Sequence, residues 1–212
     1  KKLEKLKSLF PIVPLAELVD SVEYGTSKKC SNHGKYPVLR MGNIKNGRFI
    51  LDDLVYLDDK NEAAKYAVRK HDVLFNRTNS PLHVGKTALV EEEIQALFAG
   101  YLIRINPKKD KMDPKFLTYY LNAPSIRKHG YSVMTSSVNQ ANINGSKLKQ
   151  YPFINADIHT QSSLAKQFAN VEKIINKSKN LTQKILDNYN ILKLVILKKE
   201  LKSDVVWMKQ IL

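Results

Sequence analysis

The chain has 212 residues, 43% hydrophobic and 26% charged, which suits one sizeable core with a smaller element attached and excludes global disorder. Thirty-five Lys and Arg against twenty Asp and Glu give a formal charge of +15, more than solubility requires; this points to a polyanionic partner, nucleic acid ahead of an acidic membrane surface, with a merely Lys-rich composition as the plainer alternative. The single Cys30 excludes an intramolecular disulfide and a cysteine-based zinc site, no apolar run approaches the ~20 residues of a spanning helix, and a cytoplasmic address is expected.

The start at Lys1 without Met points to a fragment, a processed product or part of a larger reading frame. Residues 1–12 form a short basic segment, helical or simply a tail over its first nine positions. In "FPIVPLAELVDSV" two prolines delimit an extended piece before one or two helical turns. From Tyr24 to about Asn106 the pattern is rich in strands: "YPVLRMGNI", "DVLFNR", "KTALV" and "YLIRI" are short β-prone runs. "LDDKNEAAKYAV" interrupts them as a short helix. "DPKFLTYYLNAPSIRKHG" is a helix signal in which Asp113 caps, Pro114 takes the first turn, Pro124 breaks or restarts the helix, and Gly130 is a plausible stop. "YSVMTSSVNQANINGSKLKQYPF" has no helical period and reads as loop and short strand.

The texture changes at His159. From Thr160 to about Lys202 there is no Pro or Gly, and a track of Leu164, Phe168, Val171, Ile175, Ile185, Tyr189, Leu192 and Ile196 follows the near-heptad spacing of a coiled coil, widened by Ile174, Leu181, Leu186, Leu194 and Leu201. Such a helix, about 60 Å long at ~1.5 Å per residue, must project and find a partner helix. Two shorter helices with a break at Asn188-Tyr189-Asn190 are the alternative. The expected organisation is an α/β globular region over 1–158, a long helix over 159–202 that pairs as an antiparallel coiled coil, and a tail over 203–212.

Catalytic motifs fail inspection. "VGKTAL" lacks the phosphate-loop glycine, since Ser80 stands in its place, and Pro81 removes an N–H from the cradle. "KTALV" moreover reads as a strand, where a phosphate loop needs a helix. The five histidines show no metal-binding spacing, the acidic pairs Asp52-Asp53 and Asp58-Asp59 suit solvation, and no methyltransferase or nuclease signature is found. Four polar clusters remain: Tyr24, Thr26, Lys28 and Lys29; Arg40, Asn43, Lys45 and Arg48; Asn76, Arg77, Thr78 and Asn79, with Lys86 beyond; and Ser136, Ser137, Asn139 and Gln140. Asn and Gln match adenine edges, and Arg and Lys match guanine or phosphate. The competing reading is that these side chains knit loops together through backbone hydrogen bonds.

The ordered series "YPVLRMGNIKNG", "DVLFNRTNS…VGKTALV", "YLIRI", "SSVNQANINGSKLKQYPF" and "HTQSSLAKQF" resembles one half of the specificity subunit of type I restriction–modification systems, a target recognition domain plus one long helix. The similarity runs from about Val13 to Leu201. Gly42-Asn43 and the run Asn76 to Ser80 match the family's domain framework. Gly85-Lys86 matches its "VGK", Gln140-Asn142-Ile143 its closing segment, and Gln161 the glutamine that opens the helix. The resemblance implies a non-catalytic reader of double-stranded DNA with no cofactor of its own. It docks methyltransferase subunits, which use S-adenosylmethionine, and through them the restriction subunit with its ATP and Mg2+. An unrecognised nuclease or methyltransferase domain, a specificity domain from a fused enzyme, and a structural coiled-coil protein are the alternatives.

Two departures stand out. The family's Pro-rich lead-in is replaced by "YPFINADIHTQ", where Asp157 or Thr160 can still cap the helix. Only one recognition domain and one helix are present; a self-paired copy would read a palindromic bipartite target by two-fold symmetry.

Overall fold

The computed structural model describes residues 6, 8–138 and 140–211, with side chains described as far as position 199. One compact unit ends at Ala165 and a second begins at Lys166.

The first unit is a mixed α/β body. Its extended lead-in is β1 (Ile12–Pro14), followed by a 3-10 turn over Leu15–Glu17. The chain then enters β2 (Val19–Tyr24), whose sequence VDSVEY hid it from a search for apolar runs. β3 (Tyr36–Leu39) leads through a 3-10 turn to the hairpin of β4 (Ile44–Lys45) and β5 (Arg48–Phe49). Asn46 and Gly47 turn that hairpin with φ of 53° and 78°, the paired left-handed geometry that favours Asn-Gly. β6 (Val55–Leu57) precedes α1 (Lys60–Tyr66), whose cap Asp59 accepts from the N–H groups of Asn61 and Glu62.

Next come β7 (Val73–Asn76), β8 (Thr78–Asn79), β9 (Thr87–Leu89), β10 (Leu97–Phe98) and β11 (Leu102–Pro107). α2 (Pro114–Leu121) starts as the sequence predicts, with Asp113 Oδ1 accepting from the Phe116 N–H at 2.8 Å. Pro124 restarts the helix as α3 (Pro124–Val133), which does not stop at Gly130. That glycine serves packing, since a Cβ there would lie 2.8 Å from Tyr151 Oη. The polar stretch beyond holds β12 (Thr135–Ser137), β13 (Gln140–Asn142), a short helix α4 (Gly145–Lys149) capped by Asn144, and β14 (Pro152–Ile154). The sequence reading missed α4.

The central sheet has the order β2-β11-β7-β9-β5-β4, antiparallel except for β5 against β9. Smaller sheets are β10-β3-β6, β12-β13-β8 and β1-β14. Every residue of β7 is buried, so its side chains, which alternate in direction, meet protein on both faces. Leu74 packs with Leu39, Phe98 and Leu102; Phe75 meets the edge of the Tyr151 ring at 6.1 Å. On β11, the buried Arg104 places Nε 2.9 Å from the Asp72 carboxylate and lies over the Phe98 ring. Burial pushes the Asp72 carboxyl up, against the Arg69 N–H and the Arg104 charge that pull it down.

α5 (Ile158–Ile211) is a single helix of 54 residues, about 80 Å at ~1.5 Å per residue. It runs unbroken through Asn188-Tyr189-Asn190 and over 203–211, which corrects both the two-helix alternative and the expected tail. Asp157 caps it, its carboxylate accepting from the Thr160 N–H at 2.8 Å and from Thr160 Oγ1 at 2.6 Å. Gln161 is 0% exposed and locks the first turn. Its amide donates to Lys111 and Ala156 carbonyls at 2.7 and 2.8 Å and accepts from the Asp113 N–H at 3.1 Å. Of the coiled-coil track, Leu164 and Phe168 are half-buried; Val171, Ile175, Ile185, Tyr189, Leu192 and Ile196 are exposed, as are Ile174, Leu181, Leu186 and Leu194. The Leu201 side chain lies outside the described residues. No described helix is long and apolar enough to cross a membrane.

Candidate nucleic-acid interface

"FNRTNS" is a junction between two sheets. Asn76 ends β7 with a side chain that is 0% exposed. Its Nδ2 donates to the His83 carbonyl at 3.1 Å, its N–H donates to Lys86 O at 2.8 Å, and its carbonyl accepts from the Gly85 N–H at 2.6 Å. Arg77 then carries the chain to β8. Its N–H donates to Tyr101 O, its carbonyl accepts from the Ile143 N–H, and its Nε donates to Gly100 O at 2.8 Å. The guanidinium lies 4.8 Å over the Tyr24 ring, and Tyr24 Oη accepts from the Gly145 N–H at 2.8 Å. Thr78 is buried and its hydroxyl accepts from Asn142 Nδ2 at 2.6 Å, while the half-buried Asn79 accepts from the Ser80 N–H. The Asn76 Nδ2 donor and the backbone bonds around it hold the β8–β9 connection, while the buried Asn76 Oδ1 has no hydrogen-bond partner among the described residues.

That connection settles the "VGKT" question. Gly85 has φ +84°, and a Cβ there would lie 2.5 Å from Arg127 Nη1. Thr87 is buried, opens β9, and donates to Gly85 O at 3.2 Å; no helix follows to complete a phosphate loop. Arg127 donates to the carbonyls of Val84 and Leu82. The half-buried Lys86 has its ammonium pKa pushed down by burial first and then by the Arg127 charge. Among the described residues no carboxylate pairs with Arg77, Lys86, Arg127 or Lys147. Two cations that repel each other without a counter-charge gain from an approaching phosphate.

β8 pairs with β13, and β13 with β12. Ser136, Ser137 and Gln140 are exposed on this hairpin, and Ser137 Oγ donates to Gln140 O at 3.2 Å. Lys147 braces its base, donating to Val133 O at 2.6 Å and to Thr135 Oγ1 at 2.7 Å. Asn139, named with this cluster from the sequence, lies outside the described residues. Sequence reasoning passed over Val138, which is 90% exposed at the hairpin end; its only signal was an aliphatic residue amid hydroxyls and amides.

In the other two clusters Thr26, Lys28, Arg40, Asn43 and Arg48 are engaged within the protein, whereas Lys29 and Lys45 form no ion pair among the described residues. Thr26 is buried and donates to the Glu62 carboxylate. Lys28 bonds to Asp59 and lies 3.9 Å from Glu62; the bond raises the Lys28 pKa and lowers that of Asp59. Lys29 is exposed. Asn43 is buried, accepting from the Arg40 N–H and donating to Ile50 and Asp52 carbonyls. Arg40 pairs with Asp53 at 3.1 Å and Arg48 with Glu91 at 3.4 Å, while Lys45 is exposed. Nine of the twenty acidic residues fall between positions 51 and 100, and they supply every carboxylate in these pairs. β2 and β4 form opposite edges of the central sheet, so Tyr24 and Lys45 do not share a site. The structure thus gathers Tyr24, Arg77 and Asn79 at the base of the β12–β13 hairpin, sets Lys86 next to Asn76 and Arg127, and leaves the clusters around Thr26 and Asn43 elsewhere. Among the described residues no group of three or more His, Cys, Asp or Glu side chains forms a metal-ligand set.

Comparison with known proteins identifies the family and the fold. The model of the Type I restriction modification DNA specificity domain family matches residues 7–187. A Methanocaldococcus jannaschii protein named as the specificity subunit of type I restriction enzyme MjaX is 28% identical over 165 residues, 76% of this chain and 39% of that protein. The HsdS subunit of Thermoanaerobacter tengcongensis shares the fold at a TM-score of 0.57 and 15% identity, over 82% of this chain and 42% of that one. A chain from a structure addressing assembly of the type I R-M system gives a TM-score of 0.61 at 15% identity, over 84% and 44%. The chain thus spans about two fifths of the length of the relatives it matches.

Proposed function

The chain belongs to the family of type I restriction–modification DNA specificity domains, and from that premise we propose that it reads one half of a bipartite double-stranded DNA target. The observation that carries the reading is the end of the domain where cations with no carboxylate partner among the described residues lie at and near the base of an exposed polar hairpin. Lys86 and Arg127 neutralise phosphates there, and Ser136, Ser137 and Gln140 address base edges in the major groove. Asn43, Asn76, Arg77 and Thr78 hold the framework that aims them. The chain itself performs no chemistry: it works in the cytoplasm, docking an adenine-N6 methyltransferase and, through the complex, a restriction subunit.

The exposed face of α5, from Val171 to Ile196, pairs antiparallel with a second copy of this helix and sets the spacing between two half-sites. Its support is the row of large aliphatic side chains left in solvent, too long a row for a surface without a partner. Footprinting on genomic fragments tests the reader: protection of a recurring short sequence, lost steeply as salt rises, supports it, and uniform protection refutes it. Sedimentation analysis tests the pairing, with a dimer expected and a monomer at micromolar concentration opposing it.

A further inference from the structure

The β12–β13 hairpin is anchored to the domain at its base and open to solvent along β12. Successive residues of a strand face opposite ways, yet Thr135, Ser136 and Ser137 are all exposed, so both faces of β12 are solvated. Only the base is tied down, through Ala141 and Asn142 against β8, Asn142 to the Thr78 hydroxyl, and the Lys147 brace. The major groove admits a two-stranded ribbon of this kind.

Ser137 pairs with Gln140 across a two-residue connection whose first member is Val138. Such connections favour Gly, Asn or Asp, and a β-branched side chain gains nothing there from packing, because Val138 is 90% exposed. Single apolar side chains on a surface are ordinary. This one sits at the end of a ribbon whose outer strand is exposed on both faces, flanked by exposed hydroxyls and the Gln140 amide, with Lys147 at its base and no carboxylate paired with that cation among the described residues. We infer that Val138 is a specificity-determining residue that packs its methyl groups on the C5-methyl group of thymine in the major groove. The inference rests on the DNA-reading function proposed above and adds to it which side chain reads which group.

The test compares thymine with uracil, which differ by that methyl alone. The full chain selects its preferred duplex from a random pool, and each thymine is then replaced singly by deoxyuridine. At one position the replacement should weaken binding about fourfold, the worth of one buried methyl group. V138A should bind thymine and uracil duplexes equally, and as weakly as the unaltered chain binds uracil. Leu51, exposed beside the acidic segment, serves as control, and L51A should keep the thymine preference. Val138 is too exposed for V138A to impair folding, which a melting curve verifies. A selected site without thymine, no sensitive position, or a V138A variant that keeps the fourfold ratio would each overturn the inference while leaving the reader intact. Absence of any selected sequence would instead remove the DNA-reading function and the inference with it.

Discussion

"FNRTNS" and "TSSVNQAN" are alike on paper, two polar runs of Asn, Ser and Thr in a basic chain, yet the fold treats them oppositely. The first continues a fully buried strand, so its amides and guanidinium meet backbone groups at the crossing between two sheets. The second has no apolar strand feeding it, and its hydroxyls and Gln140 stand in solvent. Polar side chains carried into an interior must bond within it; those left outside are free to bond a ligand. What precedes a polar run thus says more about its role than its own composition.

Breaking the first run should cost stability. Asn76→Ala removes the buried donor that holds His83 O, and a loss of about 2–3 kcal/mol is expected in denaturant titration. An unchanged midpoint would take Asn76 out of the framework. Arg77→Ala loses one charged hydrogen bond and the Tyr24 stack, for about 2 kcal/mol, with the preferred DNA sequence unaltered. A shifted preference at one base pair would move the guanidinium from architecture to readout.

Breaking the second run should spare the fold and change recognition. Gln140→Ala is expected to stay within about 0.5 kcal/mol of the parent in stability while relaxing preference at one base pair by about 1–3 kcal/mol. The cations divide in the same way. Lys86→Ala should reduce the salt slope of DNA binding by about 0.9, whereas Arg48→Ala, already paired with Glu91, should leave it unchanged; equal slopes for the two variants would dissolve the distinction.

The smallest effect concerns the start of α5. Hydrogen bonds from Thr160 hold the Asp157 carboxyl below the usual aspartate range. A carboxyl depressed on folding stabilises the fold above its unfolded pKa, and that contribution fades as pH falls through the folded one. Asp157→Asn still caps but does not titrate, so its melting temperature should converge on the parent's as pH drops through the aspartate range. A difference independent of pH would argue against a titrating cap.

Much of the fold was legible because it was local. The Asp113-Pro114 start, the Asp157 cap and the long aliphatic track are written in adjacent residues, and all lie where the spacing puts them. The elements that escaped lack such signals. β2 is polar at an edge, α4 is five residues long, and the end of α5 has no glycine or proline to mark it. The site was less legible, because occupancy is a tertiary property. Nothing near Lys28 in sequence announces Asp59, and nothing near Asn43 announces the Asp52 carbonyl. The family signature named the domain but not its reading edge.

The central claim is that this chain reads sequence. Its most direct test is selection from a random duplex pool by the full chain at near-physiological salt. Enrichment of one short motif, two-fold repeated if α5 pairs two copies, is the predicted result; a recovered pool as random as the starting one would contradict the account.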